Sequence, residues 1–83
     1  MTTFVTVLRD IDAIGKQVEE HRQRSRIQAS DMQVELGSLA PAYIGPGRLD
    51  LRKVDNVLTS ARVVGQDKIT AKLKLKACGF QLV

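Results

Sequence analysis

The sequence predicts an α+β domain in which a long N-terminal amphipathic helix precedes a small antiparallel sheet of about four strands. Three observations favour this fold class. In the first third of the 83-residue chain, apolar residues recur at steps of three and four, as on one side of an α-helix. From residue 28 they recur at every second position, as in strands with one buried face. Segments rich in glycine and proline separate the alternating runs, as in hairpin connections.

Residues 1–27 are predicted to form the helix, with Thr2 or Thr3 as its N-cap. Its apolar stripe consists of Phe4, Val7, Leu8, Ile11, Ile14 and Val18. The stripe is wide enough to pack on a sheet face of the same chain, and it also fits the a and d positions of a heptad. Because so small a chain gains stability from any further burial of apolar surface, we favour a homo-oligomer formed through this helix.

Residues 28–83 are predicted to form the antiparallel region. Within it, residues 29–36 and 48–52 alternate apolar and polar side chains, which indicates two strands. The loop 41–47 lies between them and contains a Pro-Gly pair that suits a type II turn.

Residues 53–64 admit two interpretations. Their apolar side chains fit one face of a helix capped by Asp50, whereas their β-branched residues and the following Gly65 fit a strand and a hairpin turn. We favour the strand because residues 68–77 alternate without interruption, and as a helix their five apolar side chains would scatter around the axis. Parallel pairing is excluded because no crossover helix is predicted between the strands.

The composition is typical of a globular chain, with 43% apolar residues, 27% charged residues and a net charge of +4. No apolar run approaches the roughly 18–20 residues of a membrane span, and the N-terminus carries no signal segment. Cys78 is the single cysteine, which excludes an internal disulfide and suits a reducing compartment. We therefore expect one cytoplasmic domain over residues 1–83.

The sequence offers no catalytic or metal-binding constellation. His21 is the only histidine, so neither a histidine metal cluster nor a catalytic triad is easily assembled. Cys78 is typical of a small core residue, and no base is indicated beside it. We expect no enzymatic activity, no metal and no cofactor.

The first function hypothesis is a non-enzymatic protein-interaction module, an adaptor or inhibitor that covers the surface of a partner protein. Its contact residues would lie on the polar end of the helix and on the loop, two segments that the predicted fold does not need. These residues are Arg22, Arg24, Arg26, Tyr43 and Ile44.

The alternative is a small basic protein that binds anions or nucleic acid through the same arginines and a lysine ladder on one strand face. The ladder consists of Lys68, Lys72, Lys74 and Lys76. Lysines on an exposed strand also prevent its pairing with other chains, and this ladder lacks the aromatic side chains on which single-stranded bases stack. We therefore favour the interaction module. A third hypothesis is a virion or secretion-apparatus component that assembles through its strands.

One family shows a similar pattern. Leu-Arg-Asp-Ile at 8–11 in the helix, and Arg-Ile-Gln-Ala-Ser-Asp-Met-Gln-Val-Glu-Leu at 26–36 after it, resemble the small bacterial trypsin-co-occurring domains. Residues 57–61 and 68–75 stand where the closing hairpin of that family would be. The resemblance implies a helix followed by antiparallel strands, and an adaptor beside protease-like partners in bacterial conflict or phage-related systems. It implies no catalytic residues.

Overall fold

A computed structural model describes residues 4–25 and 36–83, apart from the side chains at positions 21, 22, 24 and 25. Its elements in chain order are α1 (Phe4–Ser25), a 3₁₀ helix (Gly37–Ala42), β1 (Tyr43–Gly45), β2 (Arg48–Leu49), α2 (Leu51–Ser60), α3 (Gln66–Ala77) and β3 (Gln81–Leu82). The α+β class is therefore confirmed in its coarse form, although helices and not strands account for most of the described chain. The strand predicted over residues 29–36 lies outside the described residues, except for Leu36.

The sheet differs from the predicted one in size and in direction. The described residues form three short strands in the order β1-β2-β3, and not four antiparallel strands. β1 and β2 are antiparallel, with Tyr43 opposite Leu49, whereas β2 and β3 are parallel, with Leu49 opposite Leu82. The exclusion of parallel pairing was wrong because α2 and α3 lie between β2 and β3 and supply the crossover.

The predicted loop 41–47 is partly ordered into regular structure. The 3₁₀ helix includes Pro41, and Tyr43 and Ile44 belong to β1. The predicted turn is confirmed: it connects β1 to β2, and Gly47 has a φ of 68°, the conformation in which glycine is favoured.

The segment 53–64 is mostly helical, so the preference for a strand was wrong. The Asp50 carboxylate accepts hydrogen bonds from the backbone N–H groups of Arg52 (2.9 Å) and Lys53 (3.3 Å), which caps α2. Val54 and Leu58 lie one turn apart and are both fully buried. The helical interpretation of this segment, including its cap, is the correct one.

The alternating segment 68–77 is also a helix, which corrects the prediction of a strand. Alternate residues of an α-helix are about 200° apart, so a period of two divides the apolar side chains between two nearly opposite stripes. One stripe, Ala71 and Leu75, is fully buried and continues to Cys78. The composition agrees with this outcome, because alanine, leucine and lysine are all strong helix formers.

Both helices end in the same way, in a Schellman motif. In α2 the backbone N–H of Val63 donates to the carbonyl of Leu58 at 3.0 Å, and that of Arg62 donates to Thr59 at 2.9 Å. In α3 the corresponding donors are Phe80, to Leu75 at 3.2 Å, and Gly79, to Lys76 at 3.0 Å. The residue after the C-cap has a positive φ in each motif, 60° for Arg62 and 99° for Gly79.

The prediction of an N-terminal helix is confirmed over residues 4–25, and its apolar stripe forms part of the core. Val7, Ile11 and Ile14 are 0% exposed and Val18 is 1% exposed, while Phe4 and Leu8 pack against the same core from its edge. The partners of α1 are mainly α3 and the 3₁₀ helix of the same chain. The stripe that we assigned to self-association is therefore covered within the chain.

Asp10 connects α1 to the 3₁₀ helix. Its Oδ2 accepts hydrogen bonds from the backbone N–H of Ser38 at 3.1 Å and from the Ser38 hydroxyl at 2.6 Å. Gly37 approaches the same carboxylate so closely that a Cβ at this position would lie 2.8 Å from Oδ2. The Asp10 carboxylate of α1 thus accepts from a backbone N–H at the start of the 3₁₀ helix, where N–H groups have no acceptor within the helix itself.

None of the described helices combines the length and the hydropathy that crossing a membrane requires.

Candidate interaction surface

The outward side of α3 presents large apolar side chains to solvent. Ile69 and Leu73 lie one helical turn apart and are each 58% exposed. On the opposite side of the same helix, Ala71 and Leu75 are 0% exposed. We call Ile69 and Leu73 the α3 ridge. The buried stripe of Ala71 and Leu75 holds α3 in place, and the α3 ridge lies on the opposite side of the helix.

The lysines of α3 lie on two sides of the helix, so the predicted ladder on one strand face is wrong. Lys68, Lys72 and Lys76 are spaced four residues apart and share one flank, beside the α3 ridge, whereas Lys74 lies on the other flank. A period of two that would align all four lysines on a strand separates them on a helix.

Three of these lysines have partners in other helices. Lys72 Nζ lies 2.6 Å from Asp55 Oδ1 of α2, and Lys74 Nζ lies 3.2 Å from Asp12 Oδ1 of α1. Lys68 Nζ donates a hydrogen bond to the Thr59 hydroxyl at 3.1 Å.

These partners are polar side chains at partly exposed positions, so each contact contributes little to stability. Lys76 is exposed on the ridge side of the helix. Of the three lysines on the flank that borders the α3 ridge, Lys72 alone pairs with a carboxylate of the described residues, because the Thr59 hydroxyl is neutral. This flank therefore keeps a net positive charge.

Tyr43 and Ile44, which we predicted as contact residues, lie on β1 at the edge of the sheet. They are 44% and 49% exposed, so both have surface to offer to a partner. The turn through Pro46 and Gly47 follows directly. These two predicted residues thus lie on one edge strand, where consecutive side chains point to opposite faces of the sheet.

The three arginines predicted as contact residues have no described side chains. Arg22 and Arg24 belong to the last turns of α1, but their side chains lie outside the described atoms, and Arg26 lies outside the described residues. The side chain of His21 is likewise outside the description. Contacts of the arginine cluster therefore stay a prediction.

A shallow groove lies where α3 crosses α1. Its walls are Ile11, Asp12, Gly15, Val18, Glu19, Lys74, Ala77 and Cys78, and its volume is about 270 Å³. The Cys78 thiol lies 3.9 Å from the carbonyl oxygen of Ile11, and a Cβ at Gly15 would come within 2.8 Å of the sulfur. Glycine at this position therefore permits the close helix contact. The groove is smaller than the roughly 300–1,000 Å³ of typical small-molecule sites.

In the described part of the chain, no three His, Cys, Asp or Glu side chains come close enough together to hold a metal ion. The large apolar side chains of α3 and β1 that are exposed to solvent are Ile69, Leu73, Tyr43 and Ile44.

Sequence reasoning missed the α3 ridge because the strand interpretation placed Ile69 and Leu73 on a buried face. One signal could have identified the helix. Gly79 follows Leu75 by four residues and precedes the apolar Phe80, which is the spacing of a Schellman motif with its hydrophobic contact.

No protein-family model, curated protein or solved structure matches the chain. The resemblance to trypsin-co-occurring domains therefore stays a prediction.

Proposed function

We propose that the chain is a non-enzymatic protein-interaction module of the adaptor or inhibitor type, and that it acts in the cytoplasm. The proposal depends on one observation, the α3 ridge. Single exposed apolar residues are ordinary on protein surfaces. Ile69 and Leu73 differ because they are aligned one turn apart on a helix whose opposite side is fully buried. Aligned apolar anchors on a rigid element are typical of surfaces that receive a partner.

Tyr43 and Ile44 are a second, separate part of the proposed contact surface. A tyrosine with an exposed ring supplies large contact area at a low cost in conformational entropy. The bacterial conflict or phage-related setting, with a protease-like partner, is the part of the proposal that depends only on the family resemblance.

Anion binding is not retained as a second candidate. It combined the arginines Arg22, Arg24 and Arg26 with four lysines acting together from one face. Lys74 lies on a different side of α3 from Lys68, Lys72 and Lys76, so the lysine part of that hypothesis is not formed. In addition, Lys72 and Lys74 already pair with carboxylates of this chain.

Site-specific photo-crosslinking tests the proposal. The residue p-benzoylphenylalanine replaces Leu73 in one variant and Val5 in a matched control, because Val5 is also 58% exposed but lies on α1. After irradiation in a lysate of the source cells, we expect a discrete protein adduct from position 73 and none from position 5. Equal adducts at positions 73 and 5 would contradict the proposal. So would the absence of an adduct both from position 73 and from the same replacement of Ile44.

A further inference from the structure

We propose that the partner segment covering the α3 ridge is an amphipathic helix with acidic flanks. This inference rests on the proposed function and adds the chemistry of the partner. It follows from the shape of the ridge, from the charge beside it and from the comparison of possible occupants.

The shape of the ridge suits a helix. Ile69 and Leu73 are followed at the same spacing by Ala77, which is also exposed. At a rise of 1.5 Å per residue, these three positions extend over about 12 Å, roughly two turns. A row of side chains at every fourth position fits into the groove between the corresponding rows of a second helix.

The charge beside the ridge is positive. Residues 66–77 contain four lysines and a single carboxylate, Asp67. Lys72 and Lys76 lie immediately beside the ridge. Lys72 already pairs with Asp55, whereas Lys76 is exposed and has no ion pair among the described residues, so Lys76 is the main charge that a partner would meet. Glutamate or aspartate on the flanks of a docking helix would face these ammonium groups, which favours the association rate and fixes the orientation.

A second copy of this chain fits the ridge less well. Its own α3 would bring four more lysines and only one carboxylate, so like charges would face each other along the contact.

An anionic membrane surface also fits less well. Amphipathic helices that lie on membranes insert a broad apolar face, often with aromatic residues. The outward side of α3 offers two large aliphatic side chains and no aromatic one.

The test uses a designed peptide of about 18 residues, long enough to hold a helix, with leucines at helical spacing and glutamates on both flanks. A second peptide keeps the leucines and replaces each glutamate by lysine. Each is titrated into the isotope-labelled full chain, and amide chemical shifts report the site and the affinity. We expect the glutamate peptide to shift the resonances of residues 66–77, and the lysine peptide to bind at least about tenfold more weakly.

Two variants of the chain establish the site. Leu73→Ala should weaken binding of the glutamate peptide about tenfold, because it removes one anchor while alanine preserves the helix. Val5→Ala is the control and should leave the affinity unchanged. Lys76→Glu should weaken binding of the glutamate peptide and strengthen binding of the lysine peptide.

Other outcomes overturn the inference. Equal affinity for the two peptides, or an affinity that Leu73→Ala does not change, would exclude an acidic helix on the ridge. Binding to phosphatidylserine vesicles, lost in Leu73→Ala and not accompanied by peptide binding, would assign the ridge to a membrane. A concentration-dependent mass that Leu73→Ala abolishes would assign it to a second copy. If the peptides fail while position 73 still crosslinks to a protein, the interaction module stands and only the chemistry of its partner is wrong.

Discussion

Replacing Arg62 by glycine should stabilise the protein. Arg62 closes the Schellman motif of α2 with a φ of 60°, a left-handed conformation that costs a residue with a Cβ about 1–2 kcal/mol. Glycine removes that cost but loses about 0.5–1 kcal/mol through its greater freedom in the unfolded chain. Because the Arg62 side chain is exposed, little packing is lost. We expect a net gain of about 0.5–1 kcal/mol in the free energy of unfolding.

Thermal unfolding followed by circular dichroism measures the effect, which for a domain of this size corresponds to a rise in Tm of about 2–8 °C. Arg62→Ala is the matched control, since it removes the same charge but keeps the Cβ, and it should bring no comparable gain. Gly79→Ala makes the reverse change in the equivalent motif of α3, where φ is 99°, and should lower the stability. A Tm of Arg62→Gly that is no higher than that of Arg62→Ala would refute the argument from backbone conformation.

Two further substitutions test other contacts. Asp50→Ala removes the N-cap of α2 and should cost about 1 kcal/mol in urea unfolding, and no loss would show that the two hydrogen bonds to the first turn do not stabilise the helix. Gly15→Ala places a Cβ against the Cys78 sulfur and should destabilise the fold by about 1–2 kcal/mol, although alanine is the better helix former. Adding Cys78→Ala to that variant should recover part of the loss, whereas simple additivity of the two changes would contradict the predicted clash.

Part of this fold follows directly from the sequence. Between Val7 and Val18 the apolar residues recur at steps of three and four, and among the regular structures only an α-helix places them all on one side. The residues of α1 that are buried are those at these positions. Asp50 could likewise be recognised as a helix cap, because a short acidic side chain before an apolar periodic run accepts hydrogen bonds from the first turn. These elements are determined by interactions between residues near each other in sequence.

The remainder depends on contacts that local patterns do not contain. A spacing of four residues is compatible with a period of two and with a helix, so the alternation in 68–77 could not by itself distinguish a strand from α3. The parallel pairing of β2 and β3 depends in turn on α2 and α3 being helices. The two wrong strand assignments, of which that of 53–64 depended on that of 68–77, therefore changed the number of strands, their direction and the faces on which the lysines lie.

The period of two in residues 68–77 explains both the wrong strand prediction for this segment and the exposure of Ile69 and Leu73. A helix with a period of 3.6 in its apolar residues buries them all on one side and presents polar side chains elsewhere. A helix whose apolar residues recur at every second position cannot bury them all on one side, because about 200° separates successive apolar residues around the axis. Burying Ala71 and Leu75 therefore turns Ile69 and Leu73 outward, where each is 58% exposed. Polar residues at those two positions would leave the buried side of α3 unchanged, so the core does not require the ridge.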